Sequence, residues 1–156
     1  MKYYLDCEFN GMGGELLSLA LEPEAGDPLY LVRGDIPRDI EPWVRENVLP
    51  ILHADNRGHK PLKSVVWDLA EWPTLIEEYL DGDRDITIVT DWPDDIKYFC
   101  ELILTGPGQM IEIRPSLTFE MHRVDAYPTE LPGAVQHCAF WDAKALKLKL
   151  ETEAQL

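Results

Sequence analysis

The beginning of the chain contains three short apolar runs separated by turn-forming residues, a pattern that predicts β-strands. The runs cover residues 1–9, 16–21 and 29–32. Glycine-rich residues 10–14 separate the first two runs, and Asp27-Pro28 precedes the third. Because links this short usually join neighbouring antiparallel strands, these residues are expected to form a β-meander.

Beyond residue 40 the apolar spacing alternates between helical and strand patterns. Helices are expected over residues 42–52, 64–80, 94–104 and 137–151, with Pro73 bending or interrupting the second. The β-branched residues 86–90 predict an internal strand, and residues 111–119 predict another that Pro115 weakens. The order βββααβαβα requires helical crossovers between the later strands, so it predicts an α/β fold in which helices flank a mixed sheet. Without an internal repeat or linker, residues 1–156 are expected to form one domain.

The charge of the chain narrows the classes of function. Twenty-nine acidic residues against 14 basic ones give a formal net charge of −15, the opposite of the basic surface with which proteins coat DNA or anionic membranes. Clustered carboxylates are instead the ligands with which many enzymes hold divalent cations. The composition disfavours a general nucleic-acid or membrane binder and is compatible with a metal-dependent enzyme that acts on phosphates.

Membrane insertion and export are not predicted. No apolar stretch reaches the length of about 18 residues that a membrane-spanning helix needs, and Asp6 follows too soon after the start for a signal peptide. The three cysteines form no CxxC pair and are odd in number. Reduced thiols and a cytoplasmic location are therefore expected.

Acidic residues collect at the ends of the predicted elements. Asp6 and Glu8 lie two apart on a strand, so their side chains point to the same face of the sheet. Asp91, Asp94 and Asp95 stand where the strand over residues 86–90 leads into a helix. Each group alone has an ordinary structural explanation, as a solvated strand end or a helix N-terminus.

His137 and Asp142 stand at the start of the last predicted helix. Residues five apart on a helix are turned by about 140° from each other, so both cannot face one site from within it. His137 is therefore expected to precede the first turn, from where it can approach a site that Asp142 helps to build. The combination of all three groups, in this order and on these elements, is far more specific than any one of them.

The motifs resemble those of the DEDDh-type 3′–5′ exonucleases of the ribonuclease-H-like superfamily. The segment DCEFNGM at residues 6–12 matches the family pattern D-x-E-x-x-G-[ML], and HCAFWDA at residues 137–143 matches H-x-A-x-x-D-A. For the second motif, Asp95 precedes the aromatic Tyr98 by about one helical turn, as the family's acid does. Asp94 replaces the aromatic residue that commonly precedes that acid. Asp95 is favoured as the second-motif acid, with Asp94 and Asp91 as alternatives.

A narrower resemblance covers nearly the whole chain. DCEF at residues 6–9, ELLSL at residues 15–19 and above all WVRENVLP at residues 43–50 are similar to the small bacterial exoribonucleases typified by a mycobacterial adenylate-preferring enzyme. This resemblance implies RNA rather than DNA as the substrate. It also implies a homodimer.

The resemblance further implies a ribonuclease-H-like (DnaQ-like exonuclease) fold and a set of site residues. The implied catalytic residues are Asp6, Glu8, Asp95, His137 and Asp142. The four acids would bind two divalent cations, Mg²⁺ or Mn²⁺, and His137 would be the general base. Nucleoside 5′-monophosphates would be released one at a time from the 3′ end of a single-stranded RNA. Phe9 and Met12 flank the first motif and would contact the terminal bases; packing in the core or in the hairpin is the alternative role for both.

Two alternatives remain at this stage. A DNA 3′–5′ exonuclease would use the same site, and a comparison of ribose and deoxyribose 3′ ends would distinguish it. A catalytically inactive nucleotide- or RNA-binding module would keep the fold and bind metal and nucleotide without releasing a monophosphate.

Overall fold

The structure, a computed structural model, describes residues 1–54, 66–113, 116–128 and 131–154. The strands are β1 (Lys2–Phe9), β2 (Leu16–Pro23), β3 (Leu29–Arg33), β4 (Val66–Trp67), β5 (Asp85–Thr90), β6 (Leu104–Gly106), β7 (Gln109–Met110) and β8 (Ser116–Met121). The α-helices are α1 (Pro42–Asn47), α2 (Trp72–Leu80), α3 (Pro93–Ile103) and α4 (Ala139–Glu153). The predicted α/β fold with a mixed sheet flanked by helices is confirmed at this level.

The main sheet has the strand order β4-β3-β2-β1-β5-β8, and β6 with β7 forms a separate hairpin. β1, β2 and β3 are antiparallel neighbours, as their short links predict. β5 lies parallel to β1, and β8 lies parallel to β5. Because β1 and β5 run in the same direction side by side, their carboxyl ends meet at one edge of the sheet.

Apolar side chains cover both faces of the sheet. On one face α2 and α3 bury Trp72, Ile76 and Phe99. On the other face α1 and α4 bury Val44 and Ala143. All eight residues of β2 are buried because this strand is covered from both sides. Burial of this apolar surface is the main source of stability for the elements that carry the acids.

Charged contacts also hold α4 against β2. The carboxylate of the buried Glu22 lies 2.9 Å from Lys144 Nζ and 3.6 Å from Lys147 Nζ. Lys147 Nζ also donates hydrogen bonds to the carbonyl oxygens of Pro23 and Glu24. These contacts fix the middle of α4 relative to the sheet, only a short distance along the helix from Asp142.

The helix predicted over residues 42–52 is too long. α1 ends at Asn47, and a short 3₁₀ turn over Leu49–Ile51 follows it. Pro50 has no N–H with which to continue the α-helical hydrogen bonds, and its ring crowds the preceding turn. The proline therefore ends the α-helix within its apolar stretch.

The helix predicted over residues 64–80 is wrong in its first half. Val66–Trp67 pair in parallel with β3 to form β4, and α2 begins only at Trp72. Pro73 lies in the first turn of α2, where no N–H is required, so it starts the helix rather than bending it. The remaining residues of the expected helix before residue 66 lie outside the described residues.

The strand predicted over residues 111–119 is displaced along the chain. β8 begins at Ser116, whereas the Ile111 N–H donates to the carbonyl oxygen of Ile103. This bond follows the β6–β7 hairpin, which the apolar pattern does not predict. Residues 114 and 115 lie outside the described residues.

Across the described ranges, no helix combines the length and the hydropathy needed to cross a bilayer. Cys7, Cys100 and Cys138 are all free thiols, as their odd number and spacing suggested.

We expect Phe99→Ala to lower the free energy of unfolding by about 3–5 kcal/mol. Phe99 is fully buried and contacts Phe119 edge to face, with 6.0 Å between the ring centroids, so its truncation leaves a cavity beneath α3. Urea unfolding followed by circular dichroism measures the change. Leu104→Ala is the control, because this side chain is 58% exposed and its loss should change stability by no more than about 0.5 kcal/mol. Equal losses in the two variants would contradict this core.

Candidate functional site

The carboxyl ends of β1 and β5 open into a cleft of about 660 Å³. Residues from α1, from the start of α3 and from the segment that leads into α4 complete its walls. Every site residue that the sequence singled out lines this cleft: Asp6, Glu8, Phe9, Met12, Asp95, His137 and Asp142. The fold brings these groups together from three distant parts of the chain.

The carboxylates in the cleft form two overlapping groups that share Asp6. Carboxylate oxygens of Asp6, Glu8 and Asp142 lie within 4.8 Å of one another, and so do those of Asp6, Asp91 and Asp95. Both groups offer only oxygen donors, the ligand type that Mg²⁺ and Mn²⁺ prefer. By donor type and spacing, each group could therefore hold a hard divalent cation.

The alternation of β1 positions two of these acids. Asp6 and Glu8 face the cleft, while the side chain of Cys7 between them turns into the core and is 5% exposed. An irregularity in the pairing of β1 with β2 follows Glu8, before the last pair of the ladder, Phe9 with Leu16. The strand thus delivers two carboxylates to one face at the edge where β5 also ends.

Asp95 is buried in the first turn of α3 and held by two hydrogen bonds. It is 2% exposed, and its two carboxylate oxygens accept from the Cys7 N–H at 3.2 Å and from the Thr90 hydroxyl at 2.9 Å. These bonds link α3 to the backbone of β1 and to the end of β5. The position of Asp95 relative to Asp6 is consequently set by direct contacts with both strands.

The structure separates the three acids between which the sequence left a choice. Asp95 and Asp91 both approach Asp6. Asp94 belongs to neither carboxylate group within the described residues, and its carboxylate accepts a hydrogen bond of 2.9 Å from Trp92 Nε1. Asp91 was only an alternative in the sequence reasoning; its position directly after an internal strand was the available signal.

The carboxylates destabilise one another's charged forms. Burial, followed by the charges of Asp95 and Asp142, raises the pKa of Asp6 well above its ordinary range. Burial is also the main reason why the pKa of Glu8 and that of Asp95 rise to about 8, and why the pKa of Asp142 rises to about 7. A divalent cation would favour the ionised forms of the same groups.

His137 precedes α4, as the angular argument from the sequence required. Its φ of +63° is the only positive value at a non-glycine residue in the described ranges, a conformation that persists only where surrounding contacts enforce it. The imidazole packs edge to face against Trp43, with 4.9 Å between the ring centroids. Burial lowers the pKa of His137, which favours the neutral form that can accept a proton.

Asp142 lies one turn into the same helix and is linked to the backbone of this segment. Hydrogen bonds from the backbone N–H groups of His137 and Cys138 oppose the effect of burial on its pKa. The segment that presents the imidazole thus also orients an acid of the first carboxylate group.

Exposed apolar and aromatic side chains surround the acidic centre. Met12 is fully exposed, and Trp43, Trp92 and Tyr127 are each about half exposed, although all four line the cleft. Aromatic rings in such positions can stack on unpaired nucleobases. The sequence reasoning assigned only Phe9 and Met12 to this role, because side-chain exposure cannot be read from a short aromatic motif.

The turn that carries Met12 is fixed by its glycines and by α3. The Tyr98 hydroxyl donates to the carbonyl oxygen of Gly14, and its ring packs 4.9 Å from that of Phe9. A Cβ atom on Gly14 would lie 1.8 Å from the Asn10 carbonyl oxygen, so only glycine fits there. Phe9 and Met12 are therefore presented by a well-supported turn.

Comparisons with known proteins add no assignment to this geometry. No model of a known protein family matches the chain. No curated protein shows a significant match to it.

We expect the metal-free protein to lose stability as the pH rises from about 4 to about 8. The folded-state pKa values of Glu8 and Asp95, about 8, and of Asp142, about 7, lie above those of an unfolded chain. The folded state therefore binds more protons in this window, and their loss disfavours folding. Chemical denaturation at several pH values measures the slope.

Asp142→Asn removes one of these groups and should flatten the pH dependence, whereas Asp81→Asn, at an exposed acid outside the cleft, should leave it unchanged. Millimolar Mn²⁺ should restore stability at the alkaline end for the unmodified chain. A slope that is identical in all three proteins would contradict the electrostatic account.

Proposed function

We propose that this chain is a 3′–5′ exoribonuclease that uses two divalent cations, Mg²⁺ or Mn²⁺, to release nucleoside 5′-monophosphates from single-stranded RNA. The observation that carries the proposal is the sharing of Asp6 by two carboxylate groups in a cleft that His137 also lines. The resemblance of residues 6–12 and 137–143 to the DEDDh exonuclease motifs supports it, because these motifs supply four of the six groups concerned.

The proposal assigns the carboxylates of the cleft as ligands of the cations. Asp6, Glu8, Asp95 and Asp142 would hold the cations, and Asp91 would add a further oxygen ligand beside Asp6 and Asp95. A bound pair of cations supplies Lewis-acid stabilisation of the charge on the attacking and leaving oxygens. The hydrogen bonds to Asp95 from Cys7 and Thr90 would keep its carboxylate oriented while substrate binds.

Proton transfer falls to His137. Its neutral imidazole would take a proton from the attacking water at a ring nitrogen. The water oxygen then forms a bond to phosphorus as the bond from phosphorus to the 3′ oxygen of the preceding nucleotide breaks. That 3′ oxygen is protonated from solvent, and the departing nucleotide keeps the phosphate on its 5′ oxygen. The balance of atoms is that of phosphodiester hydrolysis.

The arrangement of the main sheet supports the ribonuclease-H-like fold that the motifs imply. Its antiparallel strands β3, β2 and β1 continue into the parallel strands β5 and β8, with helices on both faces. Acids from β1, from the end of β5 and from the last helix meet at one edge of this sheet. The proposed fold would bring together the motif acids in the same way.

The choice of single-stranded RNA depends on the residues around the cleft. Trp43 belongs to the WVRENVLP segment whose resemblance favours RNA, and it lines the cleft beside His137. Half-exposed rings suit bases that are not paired. The homodimer and the cytoplasmic location stay predictions; light scattering of the purified protein tests the first.

We expect purified protein to shorten 5′-labelled single-stranded RNA from its 3′ end in Mg²⁺ or Mn²⁺ and to stop when EDTA is added. Asp6→Asn should reduce the rate by a factor of about 10³, because it weakens both carboxylate groups and with them several kcal/mol of transition-state stabilisation. Asp81→Asn, outside the cleft, is the matched control and should retain full activity.

The products distinguish the alternatives. Shortening of DNA but not of RNA would keep the site and replace the substrate. Binding of nucleotide without release of any monophosphate would reject the exonuclease in favour of a binding module.

We expect His137→Gln to reduce kcat by about 10²–10⁴ while the cations still bind. The variant loses the proton acceptor and none of the carboxylates. Activity is measured on the same RNA, and cation binding is measured by the Mn²⁺-induced rise in Tm. His53→Gln, at an exposed histidine that does not line the cleft, is the control. A loss of both activity and the Tm shift would show that His137 maintains the site rather than acting on the water.

A further inference from the structure

The cleft is negatively charged, as is the proposed RNA substrate. None of the described residues that line the cleft is a lysine or an arginine. Seven of them carry carboxylates: Asp6, Glu8, Glu41, Asp91, Asp94, Asp95 and Asp142. Cations held near Asp6 would offset the charge of the scissile phosphate. The next phosphate along the strand would still lie in a negative field unless a fixed positive group stood at the mouth of the cleft.

Arg123, in the segment that follows β8, is held beside this mouth. Its guanidinium lies over the Trp92 ring, 4.7 Å from the ring centroid, and its Nη1 donates to the carbonyl oxygen of Asp91. The indole is oriented in turn by the hydrogen bond from Trp92 Nε1 to Asp94. Trp92 lines the cleft and is 46% exposed, so the stacked pair connects the acidic centre to the surface.

Arg123 forms no direct ion pair with a carboxylate among the described residues, although its charge favours the ionised form of the nearby Asp91 and so opposes the rise that burial causes in the pKa of that carboxyl. Arg33, by contrast, donates to both carboxylate oxygens of Asp35. A guanidinium carries five N–H donors in a planar fork that matches the oxygens of a phosphate. Arg123 is exposed and its Nη1 donates to a backbone carbonyl, which leaves further N–H donors of the guanidinium for a ligand.

We propose that Arg123 binds the phosphodiester on the 5′ side of the scissile one, with the Trp92 ring orienting its guanidinium for this contact. The inference rests on the proposed exoribonuclease function and adds a substrate-binding residue to it. Arg123 would favour strands with more than one phosphodiester over a lone phosphodiester.

The direction of the strand decides which phosphate meets Arg123. The scissile phosphate belongs at the carboxylates, and the 3′-terminal nucleotide belongs with Phe9 and Met12 inside the cleft. The remaining strand has to leave through the mouth. Arg123 is anchored to the backbone of Asp91 and to the adjacent Trp92, so the first phosphate beyond the scissile one is the nearest candidate.

Steady-state kinetics on two substrates test this contact. One is a 5′-labelled RNA of about eight nucleotides; the other is the p-nitrophenyl ester of thymidine 5′-monophosphate, whose single phosphodiester has no neighbour. Arg123→Gln should raise KM for the RNA by about tenfold more than KM for the ester, the loss expected for a hydrogen bond to a charged group. The slope of log KM against log salt for the RNA should fall by about 0.7, the share of one phosphate in a single strand.

Two further variants sharpen the readout. Arg123→Lys keeps the charge but not the planar fork, so its KM for RNA should lie between those of the unmodified chain and the glutamine variant. Arg84→Gln removes an exposed arginine just before β5, at the opposite end of that strand from the cleft. It should change neither KM nor the salt slope.

The outcomes separate this inference from the function on which it rests. An equal loss of kcat on both substrates would overturn it, because Arg123 would then only support the turn that carries Asp91. An unchanged KM and salt slope for RNA would overturn it as well.

Fluorescence anisotropy of labelled RNA in Ca²⁺ measures the contact without turnover. If the unmodified chain binds RNA but never cleaves it, and Arg123→Gln binds less tightly, the exoribonuclease fails and the phosphate contact stands. If it neither binds nor cleaves RNA, both are rejected.

Discussion

Repulsion among the carboxylates around Asp6 opposes folding, and contacts elsewhere in the structure have to offset it. Like charges this close disfavour the folded state unless neighbouring groups compensate. The compensation is local, since Asp95 accepts hydrogen bonds from Cys7 and Thr90 and Asp142 is stabilised by backbone N–H groups at the start of α4. It is also global, because apolar packing on both faces of the sheet holds the strand and the two helices that carry the acids.

This balance explains why the acidic centre can be both unfavourable and well defined. Its electrostatic cost is concentrated in a few groups, while the burial of apolar surface that offsets it is distributed over the entire sheet. A bound cation would remove much of the cost without a rearrangement of the backbone. The proposed cations would find the carboxylate oxygens already close together in the folded chain.

The sequence predicts the parts of the site that depend on local periodicity. Alternation along β1 places Asp6 and Glu8 on one face, and the helical angle between His137 and Asp142 requires the histidine to precede α4. The role of Asp91 is harder to predict, because a strand end and the following helical turn each place an acid near Asp6. The Trp92 ring also contacts Arg123, which lies far along the chain, and no spacing rule captures a contact between such distant residues.

The secondary-structure elements predicted correctly are likewise those that depend on local patterns, and the wrong ones depend on distant contacts. The first three strands and α3 follow strong local patterns and lie where the pattern predicts them, apart from small shifts at their ends. Val66–Trp67 were assigned to a helix because nothing in the local sequence indicates their pairing with β3. Local apolar spacing does not predict which strand a short extended segment will pair with.

One helix supports two different parts of this cleft, an acid of the carboxylate cluster and the exposed turn that carries Met12. α3 carries Asp95 in its first turn, and one turn later Tyr98 packs on Phe9 and bonds to the turn that presents Met12. One rigid helical turn therefore sets the distance between the carboxylate of Asp95 and the residue that supports Phe9 and Met12. A substitution that shifted α3 would displace a buried acid of the carboxylate cluster and the exposed turn together, so these two parts of the cleft would move as one unit.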